Sequence, residues 1–390
     1  MIQGEFLITR EQGVRILSGQ KCSVIIPTYN RPRYLARTLR YFSTFGTNYP
    51  IVIADSGAET TQITNKETVA SRSSLDVTYR TYTESPEIFG GFESKISDAL
   101  NYCDSKYCVV SGDDDLVAPA AINASVDFLE QNPDFAFAHG DYLNFWVNPK
   151  SRSSLSWSPV YKGRSLTYSD PALRLEYHIS HYATDTTFYA VQRTALLKHI
   201  LREILESGLR LVVFRELYST GIGVIHGKTR YLNIFYCAKD RSSERVQSVP
   251  DIAHLRAGPA YREEENHFKD ALTSYLSEHS TLSAKASKAT VEAALSGYLE
   301  RQLPTKQRYL ERTVISVREN LYSRGLGEVY DCFRGMYRGT YRTAFPRDIY
   351  STRRAQCWIM LKGRLVWINY EDFKNISKFV LSNTFNIRQP

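Results

Sequence analysis

The chain has 390 residues, 43% of them hydrophobic, a mean hydropathy of −0.35 and a formal net charge of +8. That length and apolar content support one large domain with an annex, or two domains. No apolar run approaches the roughly 18–20 residues that span a bilayer. The opening "MIQGEFLITREQGVRILSG" places Glu5, Arg10 and Glu11 among scattered apolar residues. It lacks the continuous apolar segment of a secretory signal, so a cytoplasmic location is expected. Cysteines at 22, 103, 108, 237, 332 and 357 show no CxxC spacing, which fits reduced thiols rather than a zinc knuckle or redox pair.

From residue 21 the chain alternates strands and helices. "CSVIIPTYNRPRYLARTLRYFSTF" reads as a strand over Val24–Ile26, a turn, and a helix with Leu35, Leu39 and Phe42 on one face. Pro32 falls in that helix's first turn, where its missing N–H costs little. "YPIVIADSG" is a buried strand closing on Asp55, "VTYRTY" is β-rich, and residues 90–103 read as a helix after Gly-Gly. "KYCVVSGDDD" is an apolar strand ending in acids; 120–133 read as a helix stopped by Pro133, and 134–146 as a strand. Residues 147–182 look like hairpin and loop, followed by a strand and a helix over about 193–207. A helix, a Gly-rich turn and a strand occupy 211–238, a patternless loop 239–260, and helices the remainder. The alternation predicts an α/β domain with a mostly parallel sheet covered by helices on both faces.

Three predicted strands end in polar residues: "PTYN" at 27–30, "ADSG" at 54–57 and "SGDDD" at 111–115. Ligands of open parallel sheets collect beyond such carboxyl ends. Mg²⁺ and Mn²⁺ take hard oxygen ligands and bridge carboxylates to substrate phosphates. Asp113 and Asp115 would supply such ligands, Asp55 would hydrogen-bond a base or ribose, and Lys95 would add positive charge near phosphate. The competing reading of the three aspartates is a solvated loop charge beside a helix N-terminus.

"SVIIPTYNRPRYL", "IVIADSG" and "CVVSGDDDLVAP", in this order, resemble the family 2 nucleotide-diphosphate-sugar glycosyltransferases of GT-A fold, over roughly residues 21–240. The resemblance implies inverting transfer of a sugar from a nucleotide diphosphate, most commonly UDP, to an acceptor hydroxyl, with Mn²⁺ or Mg²⁺ as cofactor. Pro27, Tyr29, Asn30 and Arg33 match the first-strand nucleotide-sugar site, Asp55 the base-binding aspartate, and Lys95 the basic position of the following helix. Asp113-Asp114-Asp115 match the DxD element; Asp115 is expected to meet the metal, Asp113 the metal or ribose, and Asp114 the nucleotide sugar.

An inverting reaction needs a general base on the acceptor side. The family's acidic pair opening a helix has its nearest match in "VVFRELYSTGIGVI", which puts Glu216 in the base's place, although Arg215 replaces the usual first acid. Asp185 in "HYATDTTFYA" is the second candidate, and Asp141 is a third, with acceptor contact as its expected role. His254, or else His226, would add a metal or phosphate contact. Arg241 and Arg245 would close over the diphosphate.

The basic excess sits near the C-terminus: residues 301–364 carry 14 Lys/Arg and 5 Asp/Glu, a window charge of +9. It reads as a helical subdomain with solvated arginines, or as a patch for an anionic membrane surface. Nucleic acid is not an expected partner, since only interleaved Arg and Tyr point to it. Residues 371–385 are amphipathic through Phe373, Ile376, Phe379 and Val380, suited to docking on the core, a second subunit or a bilayer. The expected division is an N-terminal extension over 1–20, a GT-A domain over 21–250 and a mainly helical basic region over 251–390. A glycan or lipid-linked glycan acceptor and a role in bacterial surface polysaccharide or glycolipid synthesis follow from the resemblance. The rivals are a nucleotidyltransferase of similar fold and a nucleotide-sugar or glycan-binding module without catalysis.

Overall fold

The computed structural model describes residues 21–45, 48–83, 90–147, 155–161, 164–182, 187–241, 256, 258–302, 357–361, 364–368 and 370–383. Apolar runs become β1 (Cys22–Thr28), β2 (Ile51–Asp55), β3 (Val77–Thr81) and β4 (Tyr107–Val110). Between them lie α1 (Pro32–Thr44), α2 (Glu59–Ala70) and α3 (Gly91–Ala99). Then follow β5 (Asp115–Val117), α4 (Pro119–Gln131), β6 (Phe135–Val147), β7 (Leu155–Tyr161) and α5 (Pro171–Ser180). Next come β8 (Val191–Arg193), α6 (Thr194–Ser207), α7 (Val212–His226) and β9 (Lys228–Asp240). The C-terminal part holds α8 (Pro259–Glu278), α9 (Ala284–Gln302), β10 (Cys357–Leu361), β11 (Arg364–Ile368) and α10 (Tyr370–Asn383).

The main sheet runs β3-β2-β1-β4-β8-β6-β9-β5, with β7 attached to β6. It is mixed rather than mostly parallel. The β1–β2, β2–β3, β1–β4 and β6–β9 pairs are parallel, whereas β4–β8, β6–β8, β6–β7 and β5–β9 are antiparallel. Side chains alternate between faces along a strand, and here both faces are buried. Ile25, Val52, Ala54 and Val110 join a core under α3, α5, α6 and α7. Val24, Ile26, Ile51, Ile53 and Val109 join a second core under α1 and α4.

Several local readings need correcting. Residues 171–180 are helical, not loop: Pro171 opens α5, and the Asp170 carboxylate caps it by accepting from Ala172 N at 2.8 Å. The glycines of "STGIGVI" do not make a turn but lie inside α7. A Cβ at Gly223 would come within 2.5 Å of Phe137 Cζ, and one at Gly221 within 3.2 Å of Leu175 and Leu272. They let the helix sit close against β6 and its neighbouring helices. The aspartate run does not simply end a strand, because Asp115 starts β5 and pairs with Lys239 of β9.

Among the described residues the C-terminal region is mainly helical, as expected, with the antiparallel β10–β11 pair as an exception. Its "CWIML" and "RLVWI" runs around Lys-Gly carry the aromatic and β-branched bias of strands. Tyr261, Phe268 and Leu272 of α8 and Val291 and Leu295 of α9 lie in the same core as α5–α7. Of the three docking options for α10, the core is the one seen: Ile376, Phe379 and Val380 are buried in the second core, and Phe379 meets the rings of Tyr41 and Phe45. Most of the basic 301–364 stretch lies outside the described residues.

Candidate active site

β1 and β4 are neighbours, yet the chain first steps outward through β2 and β3 before returning to β4. The strand order therefore reverses between β1 and β4, and a crevice opens at such a switch point. Thr28, Asp55 and the Ser111–Asp115 loop stand at the carboxyl ends that line it.

The three aspartates have separate partners. Asp113 accepts from Thr28 Oγ1 at 2.7 Å and pairs with Arg31 Nη1 at 2.9 Å. Asp114 pairs with the same guanidinium through Nη2 at 2.7 Å, so Arg31 forks across two carboxylates. Asp115 pairs with Lys239 Nζ at 2.8 Å. Gly112 allows this crowding, since a Cβ there would lie 3.0 Å from Asp114 Oδ1 and 3.4 Å from Asp115 Oδ2.

The loop is also tied from behind. Thr38 Oγ1 donates to Asp113 O at 2.7 Å, and Arg37 Nη2 donates to Asp114 O at 3.0 Å. Arg37 is itself paired with Asp240 at 2.6 Å, both side chains almost without exposure. One buried arginine thus joins α1, the end of β9 and the acidic loop.

Burial disfavours charge on these carboxyls. Asp113 is pushed up to about 7, first by burial and then by Asp114, with Arg31 and Thr28 opposing. Asp115 is also raised, by burial first, while Lys239 pulls it down. Burial works against the Lys239 ammonium, but Asp115 outweighs it and holds that lysine above its ordinary value. Clustered carboxylates raised by burial and by one another fit a site for a hard divalent cation, whose charge would relieve the repulsion.

Lys95 of α3 reaches the same place. Its Nζ donates to Thr28 O at 3.1 Å and Ser56 Oγ at 2.9 Å. Burial lowers its pKa to about 8, against the pull of Asp55 and Asp113.

Asp55 is fully buried, and its carboxylate accepts from Gly57 N at 2.8 Å, Asn65 Nδ2 at 2.7 Å and the Tyr79 hydroxyl. In this state it shapes the loop after β2. Asn30, at a φ of 54°, accepts from Ala58 N at 2.7 Å and joins the β1 and β2 loops. A Cβ at Gly57 would stand 3.0 Å from both Asn30 Oδ1 and Asp55 Oδ1. Pro27 is buried in β1, Tyr29 is half-buried and Arg33 is exposed on α1.

The residues expected on the acceptor side are less gathered. Glu216 is half-buried near the start of α7; its neighbour Arg215 pairs with Glu93 of α3 at 3.0 Å, joining α7 to the helix that carries Lys95. Asp141 on β6 is buried and accepts from the Tyr231 hydroxyl at 2.8 Å. Arg241 donates to Asn144 Oδ1 at 2.9 Å. Asp185, Arg245 and His254 lie outside the described residues. His226 ends α7 and stands with His199 and His279 rather than with the acidic loop.

Sequence reasoning missed Thr28, Thr38, Arg31, Arg37, Lys239 and Asp240. The signal was present for Arg31, one residue beyond "PTYN", but the partners of Arg37 and Lys239 are fixed only by the pairing of β5 with β9.

Residues 23–199 match the family model described as glycosyl transferase family 2. No curated protein matches the sequence. Among solved structures, S. aureus TarS is similar at 15% identity and a TM-score of 0.43, over 72% of this chain and 43% of that one. The chain thus spans less than half the length of that TarS structure. TarS 1-349 in complex with UDP-GlcNAc is similar at 14% identity and a TM-score of 0.41, over 88% of this chain and 95% of that one. These structural likenesses are too distant to carry an argument about substrate. Helices pack on both faces of a mixed sheet, so the architecture is α/β, and residues 23–199 of this chain are similar to glycosyl transferase family 2.

Proposed function

We propose that the protein transfers a sugar from a nucleotide diphosphate, with uridine as the first base to try, to an acceptor hydroxyl, with inversion at the anomeric carbon. One observation carries this reading: the ends of β1 and β4, with α3, bring Asp113, Asp114, Asp115, Arg31 and Lys95 into one charge cluster, in which Asp113, Asp115 and Lys95 are buried and Arg31 and Asp114 half-buried. A cluster of both signs suits a diphosphate and its counter-cation.

Asp115 and Asp113 are the residues that would hold Mn²⁺ or Mg²⁺, with Lys239 and Arg31 moving aside. Such an ion, when bound, would neutralise charge on the leaving diphosphate. Tyr29, Asn30, Arg33 and Asp55 would position the base and ribose. Lys95, fixed by Thr28 O and Ser56, would place a positive charge beside the phosphates. Glu216 is the proposed general base and Asp185 the second candidate. The base takes the acceptor hydroxyl proton as the acceptor oxygen bonds to the anomeric carbon and the bond from that carbon to phosphate oxygen breaks. Asp141 would contact the acceptor. A surface glycan or lipid-linked glycan is the acceptor class to test first, and the basic 301–364 stretch would favour an anionic membrane surface.

The test is a panel of nucleotide-diphosphate sugars, with and without Mn²⁺ or Mg²⁺. It follows release of nucleoside diphosphate and reads the product anomer by NMR. Metal-requiring release with inversion supports the proposal, and a retained anomer contradicts the mechanism. Binding without release would make the chain a nucleotide-sugar-binding module instead.

A further inference from the structure

Three of the chain's eight histidines meet at one place in the helical layer, outside the donor site. His199 comes from α6, His226 is the last residue of α7, and His279 follows α8. One nitrogen from each lies within 4.8 Å of the others. His226 and Glu216 are on the same helix ten residues apart, about 15 Å at 1.5 Å per residue. The histidines are therefore a separate site from the proposed base.

The hydrogen bonds around these rings favour ligation. His279 Nδ1 lies 2.9 Å from the carbonyl of Tyr275, which can only accept, so Nδ1 carries the proton and the Nε2 lone pair is left for a ligand. His226 Nε2 and His199 Nε2 both meet the Tyr275 hydroxyl. His199 Nδ1 accepts from Arg202 at 2.8 Å and stands 3.6 Å from a Glu203 carboxylate oxygen. Arg202 is largely exposed. If it swings away, Nδ1–H can donate to Glu203, and Nε2 then carries a lone pair that an ion could take in place of the Tyr275 hydroxyl. A carboxylate behind one ligating imidazole and a backbone carbonyl behind another are common partners at metal sites.

We propose that His199, His226 and His279 form a second metal site, for a borderline divalent transition ion of the zinc class. Imidazole nitrogens suit such ions, and carboxylate-preferring Mg²⁺ would not compete there. Tetrahedral zinc–nitrogen bonds of about 2.0–2.1 Å place ligand atoms roughly 3.4 Å apart. The nitrogens, within 4.8 Å of one another, would close to roughly 3.4 Å around such an ion. The Tyr275 hydroxyl or a water would complete four-coordination. His226 and His279 are exposed, so the ion has a path in from solvent. Because the ligands come from α6, α7 and α8, a bound ion would clamp α8 onto the two helices beneath it. The inference is independent of the donor-site reading.

The test uses the full chain, without a polyhistidine tag, stripped with a chelator and titrated with Co²⁺ and Zn²⁺. The expected result is one ion per chain, with the strong visible absorption of four-coordinate cobalt. Zn²⁺ at about 100 times Kd should raise Tm by roughly 3–5 °C. Both signals should vanish in His279→Ala and in His226→Ala, whose side chains are exposed, and should survive in Asp113→Asn, which removes an acidic-loop carboxylate. Failure of the native chain to bind Co²⁺, or retention of the absorption in both histidine variants, overturns the proposal, as does its loss in Asp113→Asn alone.

Discussion

The two sides of the acidic loop hold charge differently. On the β1 side, Asp113 and Asp114 share one guanidinium, and Lys95 stands by with its pKa lowered by burial to about 8. On the β9 side, Arg37 meets Asp240 and Lys239 meets Asp115, one cation to one anion. The first arrangement leaves Asp113 raised and an ammonium lowered, so its charges respond to an arriving diphosphate and cation. In the second, Asp115 is raised too and is the other proposed metal ligand, whereas Arg37–Asp240 is balanced, almost without exposure, and holds the loop. Binding and bracing thus fall to neighbouring ion pairs a few residues apart.

The largest expected effect lies beyond both flanks, at the proposed base. Glu216→Gln should lower kcat by about 10²–10⁴ while nucleotide affinity and Tm stay near native values. If Asp185→Asn carries that loss instead, the base is reassigned. On the bracing side, Arg37→Ala should leave Asp240 buried without its cation and cost about 3–5 kcal/mol, read by urea unfolding. A loss under 1 kcal/mol would show that Arg37–Asp240 does not brace the loop. Gly223→Ala should cost about 1–3 kcal/mol, even though alanine favours helix, because the new methyl meets the buried Phe137 ring.

Lys95 sharpens the contrast through pH. Its folded pKa of about 8 lies below the ordinary 10.5. Between those values the unfolded chain binds the extra proton, so this group's contribution to stability is present above 10.5 and lost as pH falls through 8. Its charge behaves the opposite way, being present below 8 and lost above. Nucleoside diphosphate affinity should therefore fall as pH rises from 7 to 9, by up to about tenfold per unit above 8 if the lysine charge is required. Lys95→Met should be weak throughout and nearly flat with pH. A native profile that is equally flat would remove Lys95 from the site.

The parallel half of the molecule was legible because its strands are short apolar runs that end where polar residues begin. "SVIIPT", "IVIAD" and "YCVV" each announce a buried strand. The other half was not. β6 pairs with β7, β8 and β9, with shifted registers against β7 and β9, and no local pattern encodes partners that lie far along the chain. The same limit applies at the site. Asp113 and Asp115 could be named from strand ends and Lys95 from the resemblance, but Arg37 reaching Asp240 across 203 positions could not. Glycines were the other obstacle. Gly221 and Gly223 look like a turn in sequence, yet they are there to let α7 approach its neighbours.

The central claim is that the acidic loop and Lys95 together bind a nucleotide diphosphate. Calorimetric titration of uridine diphosphate with Mn²⁺ into the native chain, Asp113→Asn and Lys95→Met tests it most directly. The account predicts metal-dependent binding to the native chain and at least tenfold weaker binding to each variant, with Tm of the variants within a few degrees of native. Binding of equal strength to all three proteins, with or without Mn²⁺, would contradict it.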